Sequence, residues 1–111
     1  MTGVQIPMDV YESPREIVII IPLGGVQKKS VEMYFEDYKL IITGKRTQPK
    51  IKEDLLPLQQ DCYRGDFQQE VQLPPHIYFD RIQSSISTEN ILQIIVPKSL
   101  IPEKMKVNVD Y

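Results

Sequence analysis

Val31-Glu-Met-Tyr-Phe-Glu-Asp-Tyr-Lys-Leu-Ile-Ile-Thr-Gly44 is the stretch that decides the fold. In its first half Val31, Met33 and Phe35 alternate with Glu32, Tyr34 and Glu36. That period of two puts three apolar side chains on one face of a strand. The Asp37-Tyr38 step turns the chain, and Lys39 to Thr43 returns as a second strand ending at Gly44. Upstream, Ile17-Val-Ile-Ile-Ile21 is β-branched throughout and ends at Pro22, a run that predicts a strand covered on both faces. Downstream, Phe67, Val71 and Leu73 share one parity against Gln68, Glu70 and Gln72, until Pro74-Pro75 stops the strand. Ile82, Ser84 and Ile86 predict a weaker strand, Glu89-Asn90 a turn, and Ile91 to Val96 a return strand reaching Pro97.

The nine prolines, at 7, 14, 22, 49, 57, 74, 75, 97 and 102, cut the chain into pieces of strand length. Proline cannot donate to a sheet ladder, so strands lie between these positions. Helical periodicity is nearly absent; the best local helix, around Asp54-Leu55-Leu56, meets Pro57 at once. Many short strands joined by turns predict an antiparallel β-sandwich. Two stretches exceed a minimal sandwich. Residues 46–64 are polar with scattered Ile51, Leu55, Leu56 and Leu58, and a loop of that length inside a compact domain usually has a function. The tail, from Lys98 to Tyr111, ends in Val107-Asn-Val109, an alternation that is useful as an extended segment added to a sheet edge.

Composition removes several classes of function. A chain of 111 residues is one domain, long enough to bury a core unaided. Its 13 Lys and Arg against 15 Asp and Glu give a net charge of −2, without the basic patch by which proteins neutralise nucleic-acid phosphates. The longest apolar run, Ile17–Ile21, is far short of the roughly 20 residues of a bilayer-spanning helix. The first residues have neither a basic start nor a long apolar stretch, so no secretory leader is expected. The one cysteine, Cys62, cannot pair within the chain, which suits a reducing, cytoplasmic setting.

The order of motifs resembles the small heat-shock proteins, specifically their α-crystallin domain. Met8-Asp-Val-Tyr-Glu12 looks like the family's first strand, and Pro22-Leu-Gly-Gly-Val-Gln-Lys-Lys-Ser-Val31 is similar to its Leu-Pro-Gly-Val-x-x-x-x-Ile turn. Lys39-Leu-Ile-Ile-Thr-Gly-Lys-Arg46 matches the Leu-x-Ile-x-Gly-x-Arg return. Gly65-Asp-Phe-Gln-Gln-Glu-Val-Gln-Leu-Pro74 parallels Gly-x-Phe-x-Arg-x-Phe-x-Leu-Pro, and Asn90-Ile-Leu-Gln-Ile-Ile-Val-Pro-Lys98 parallels Asn-Gly-Val-Leu-x-Ile-x-Val-Pro-Lys. Val107-x-Val109 resembles the C-terminal Ile-x-Ile motif. Each motif alone is weak; six in order over nearly the whole chain are strong. The chain departs from the pattern at Gln69 (usually Arg), at Val71 (usually Phe) and at Glu89-Asn90 (usually Asn-Gly).

The resemblance implies an all-β, antiparallel, immunoglobulin-like β-sandwich of the α-crystallin domain type, whose long loop carries a strand exchanged in a dimer. On that pattern residues 1–7 are a short N-terminal arm, 8–98 the domain with its dimerisation loop at 46–64, and 99–111 the C-terminal extension. It implies an ATP-independent holdase chaperone, not an enzyme, with no cofactor or metal. The implied partners are the protein itself, as a dimer or higher oligomer, and partly unfolded clients. Leu58 to Tyr63, including Gln60 and Cys62, is the expected exchanged strand. Val107 and Val109 are expected to plug apolar holes beside the Val31-Met33-Phe35 and Ile82–Ile86 strands. Two other readings remain: a co-chaperone with the related CS-type sandwich, and a structural shell component using the same domain.

Simpler explanations cover the other conspicuous residues. Arg64-Gly65-Asp66 spells an integrin-binding tripeptide but is better explained as a turn into the next strand. Cys62 reads as an inert thiol, with a redox sensor or an intermolecular bridge as the alternatives. His76 is the only histidine and follows two prolines, which makes it a loop residue without a catalytic or metal-binding companion. Glu32 and Glu36 are solvated on an outer strand face, and Gly24-Gly25 lacks the Lys and helix of a phosphate loop. Val31, Met33 and Phe35 fit a plain core and a binding groove equally well.

Overall fold

Alternation governs the longest strands. In Glu16–Pro22 the side chains of Ile17, Ile19 and Ile21 are buried while Val18 and Ile20 are half-buried, so the isoleucine run has one sealed face and one partly covered face, not two sealed ones. The computed structural model describes residues 5–62, 64–99 and 106–110. Among the described residues there are seven strands: β1 Asp9–Glu12, β2 Glu16–Pro22, β3 Glu32–Glu36, β4 Lys39–Arg46, β5 Gly65–Gln72, β6 Gln83–Ile86 and β7 Ile91–Pro97. They form a four-stranded sheet in the order β1-β2-β7-β6 and a three-stranded sheet in the order β3-β4-β5, antiparallel throughout.

The core lies between the sheets. From one side Ile17 opposes Val96, Ile19 opposes Ile94 and Ile21 opposes Leu92, all buried. From the other come Leu40 opposite Val71, and Phe67 opposite Gly44. A Cβ on Gly44 would stand 2.6 Å from the Phe67 ring, so only glycine lets that ring lie flat on β4. Ile6, ahead of β1, is also buried, and its N–H donates to Gln69 Oε1 at 3.0 Å. The position where the family pattern has Arg is thus filled by a buried side chain that accepts a hydrogen bond.

The turns follow local chemistry. Asp37 (φ 50°) and Tyr38 (φ 58°) are both left-handed, as a two-residue hairpin requires to match strand twist, and Asn90 (φ 61°) turns β6 into β7. Short 3-10 turns at Lys28–Ser30 and Phe79–Arg81, absent from the strand pattern, lead into β3 and β6. The second of them is capped by Ile82, so this residue, expected inside a strand, precedes Gln83–Ile86 instead. Local backbone hydrogen bonding in the turn, Arg81 N–H to Tyr78 carbonyl at 2.9 Å, competes with the ladder there.

Candidate functional site: an edge groove, a long loop and a tail

β3 and β6 are each the outermost strand of a sheet, one on either side of the core. Val31, Met33 and Phe35 on one edge, and Ile82 and Ile86 on the other, are half-buried and pack against the core cluster. Each thus has one flank on the core and the other towards solvent. Val31, Met33 and Ile86 come together with Leu92 at the bottom of a groove of about 360 Å³ between the two edges. Ser84, Ser85, Lys28 and Glu32 complete its walls. Phe35 and Ile82 do not line it. Phe35 instead stacks on Phe79, with ring centroids 5.5 Å apart and planes 9° apart, and meets Tyr38 edge-on at 5.9 Å.

The groove's polar rim is modest. The Tyr34 hydroxyl donates to Glu32 Oε2 on the outer face of β3, and the adjoining carboxylate raises the Tyr34 pKa above its ordinary value. Sequence reasoning gave no role to Lys28, Leu92 or Phe79. Leu92 was legible only as a core position of β7. Phe79 lies in an irregular stretch with no periodicity, where only its size and its place after two prolines mark it.

The other two sets of residues stay apart from the groove and from each other. The loop between β4 and β5 contains no strand among its described residues, and Leu58, Gln60 and Cys62 are exposed, Leu58 completely (101%). Tyr63, the last expected residue of the exchanged strand, lies outside the described residues. Val107 and Val109 are 73% and 71% exposed, so neither is seated in the groove of its own chain. A larger cavity, about 600 Å³, lies between the Gly24-Gly25 turn and the feet of the loop, where Arg46, Cys62 and Arg64 approach. Its walls are mostly exposed loop residues, whereas the groove lies between two strand edges and reaches Leu92 of the core. His76 is half-buried and engaged through its carbonyl, which accepts from Ser99 N–H at 2.9 Å.

A sandwich of four and three antiparallel strands with almost no helix is the architecture of an α-crystallin domain. The description Hsp20/alpha crystallin family matches residues 9–110, and the chain belongs to that family. It is 31% identical over 101 residues to the 17.9 kDa class II heat shock protein of Helianthus annuus, covering 90% of this chain and 62% of the sunflower protein. It is 28% identical over 93 residues to heat shock protein 16 of Schizosaccharomyces pombe, covering 82% of this chain and 64% of that protein. The chain therefore spans a little under two thirds of the length of these relatives. In fold it is similar to heat shock protein 16.0 from Schizosaccharomyces pombe, with a TM-score of 0.78 at 22% identity over 97% of this chain and 100% of that one. Among the described residues no helix is long and apolar enough to cross a membrane.

Proposed function

We propose that the protein is an ATP-independent holdase that binds partly unfolded polypeptides and keeps them from aggregating, without catalysis or cofactor. One observation supports the reading: the apolar groove floored by Val31, Met33, Ile86 and Leu92 lies open between two sheet edges that have no neighbouring strand among the described residues. An unfolded chain is rich in extended segments with alternating apolar side chains. Such a segment offers backbone to an edge and side chains to a groove. Light scattering of a heat-unfolded client, with no ATP, tests it: suppression at near-stoichiometric ratio supports the holdase, and undiminished aggregation overturns it.

Self-association rests on a second edge and on the loop. β1 is the other edge of the four-stranded sheet, all four of its residues are exposed, and the loop holds Leu55, Leu56 and Leu58 in solvent. The reading is that Leu58 to Tyr63 adds to the partner's β1, giving a dimer. Deletion of residues 50–62 is expected to leave a folded monomer in native mass spectrometry; a persisting dimer would contradict it. Val107 and Val109 of another copy then fill the edge groove. Burying two valines fully yields roughly 3–6 kcal/mol before ordering is counted, so one tail is weak and several together are needed. Val107→Ala with Val109→Ala is expected to lower the mass of any assembly beyond the dimer. The free thiol of Cys62 fits a reducing cytoplasmic setting.

A further inference from the structure

The cavity of about 600 Å³ at the feet of the long loop is separate from the edge groove, and its inner wall is fixed in place. Thr47 N–H donates to the Gly25 carbonyl at 3.0 Å, and Val26 bridges Arg46, so the Gly24-Gly25 turn is laced to the end of β4. Gly25 is left-handed (φ 79°), and a Cβ there would stand 3.3 Å from Arg46 Cγ. The turn therefore packs on the stem of that arginine. Arg64, one residue before β5, brings a second guanidinium to the same cavity. Among the described residues the one ion pair is Lys98 with Glu12, so neither arginine has a carboxylate partner there. Arg46 Nε is in addition shut from solvent with no acceptor. Asp61, the carboxylate in the wall, accepts from the Gln59 side-chain amide instead.

Two guanidiniums on one cavity repel each other and favour an anion between them. The surrounding field has the same sign. Residues 24–30 and 45–64 hold seven of the chain's 13 basic residues and three of its 15 acidic ones, so this end attracts anions although the whole chain is acidic. The Gly24-Gly25 turn lacks the Lys and helix of a phosphate loop, yet Arg46 and Arg64 bring to it the planar donor forks that match phosphate oxygens. The volume is that of a small-molecule site and exceeds what one phosphate ion fills. Asp61 repels a phosphate group but accepts from hydroxyl donors, which suits a ligand with a charged end and a hydroxylated body. We infer that this cavity binds a phosphorylated polyol of sugar size, with its phosphate on Arg46 and Arg64 and its hydroxyls towards Asp61. Such a ligand ties the outgoing foot of the loop, at Arg46, to the returning foot, at Arg64, and leaves the groove between the sheet edges untouched.

Calorimetric titration of the full chain tests the site, at about 0.15 M salt, where attraction beyond about 8 Å is screened. The probes are ribose 5-phosphate and glucose 6-phosphate, inorganic phosphate, and ribose. The expected result is saturable binding of at least one ester, weaker binding of inorganic phosphate and none of ribose. Inorganic phosphate bound as tightly as the esters overturns the polyol body, and no saturable binding of any phosphate overturns the site. Arg64→Gln, at an exposed position, and Arg46→Lys, which keeps charge and stem but loses the fork, are each expected to weaken the ester about tenfold. Lys39→Gln removes one charge from the far end of β4 and is expected to leave the affinity unchanged. Equal weakening by Lys39→Gln would reduce the binding to diffuse charge attraction and overturn the site. The exposed thiol of Cys62 lines the cavity and reports where the ligand sits: saturating ester is expected to slow its alkylation by N-ethylmaleimide several-fold. Unchanged alkylation with the ester bound would place the ligand elsewhere and overturn the assignment.

Discussion

Ile17, Ile19 and Ile21 in β2 and Ile51, Leu55, Leu56 and Leu58 in the loop are side chains of one kind with opposite fates. The first three are sealed between the sheets; the other four stand in solvent. The difference is periodicity. In β2 every second residue meets an inward residue of β7, whereas the loop's apolar residues share no parity and are interrupted by Pro49 and Pro57, which cannot join a ladder through their nitrogen. Burial in this chain is therefore a property of pattern more than of residue type. What the pattern leaves out is available for association.

The largest test of that contrast sets Ile94→Ala against Leu58→Ala. Ile94 is fully buried opposite Ile19, and its truncation is expected to cost about 2–5 kcal/mol in urea unfolding. Leu58→Ala, measured below the concentration at which the protein dimerises, is expected to stay within about 0.5 kcal/mol of the parent. Comparable losses at the two sites would mean that the loop packs on its own domain. A second variant, Gly44→Ala, drives a Cβ into the ring of Phe67 and is expected to cost about 1–3 kcal/mol, much of it recovered on adding Phe67→Leu.

Gln69 sharpens the comparison from inside the core. Its Oε1 is the acceptor for Ile6 N–H, and both residues are buried. Gln69→Leu keeps the volume but strands that donor, for an expected loss of about 1–3 kcal/mol and faster amide exchange at Ile6. Gln69→Arg, which restores the usual residue of the family pattern, brings only donors and so should release Ile6 as well. Retained protection at Ile6 in both variants would show that packing alone holds this segment.

Strand pairing was legible where parity is strict. The β3–β4 hairpin, the isoleucines of β2 and the return strand β7 all follow from alternation and turn residues. Placement of Ile82 was not, because a 3-10 turn depends on a few local hydrogen bonds that leave no period behind. The same reason hides Phe79: its contact with Phe35 spans 44 residues of sequence and joins a 3-10 turn to a strand. Val31, Met33 and Ile86 could be named as apolar edge residues. Their convergence on one groove depends on which strands end up outermost, and a single strand's pattern says nothing about sheet order. Gln69 shows the limit from the other side, since a polar residue at an inward position reads as a fault until its partner, 63 positions away, is seen.

The smallest expected effect lies at the turn between β6 and β7. Glu89 accepts from its own backbone N–H and from the Ser87 and Thr88 side chains, the last at 3.2 Å, and these bonds hold its carboxyl pKa below the ordinary value. A carboxyl whose pKa is lower in the folded state stabilises that state above its unfolded pKa, and the contribution fades as pH falls through the folded value. Because Glu89 is fully solvated, the effect should be local: faster amide exchange at Asn90 and Ile91 in acid, with the β2–β7 amides unchanged. Glu89→Gln should abolish that pH dependence. Acid loosening that reaches β2 in the parent and survives in Glu89→Gln would place the sensitive carboxyl elsewhere and remove the distinction drawn here between a cooperative core and independently held edges.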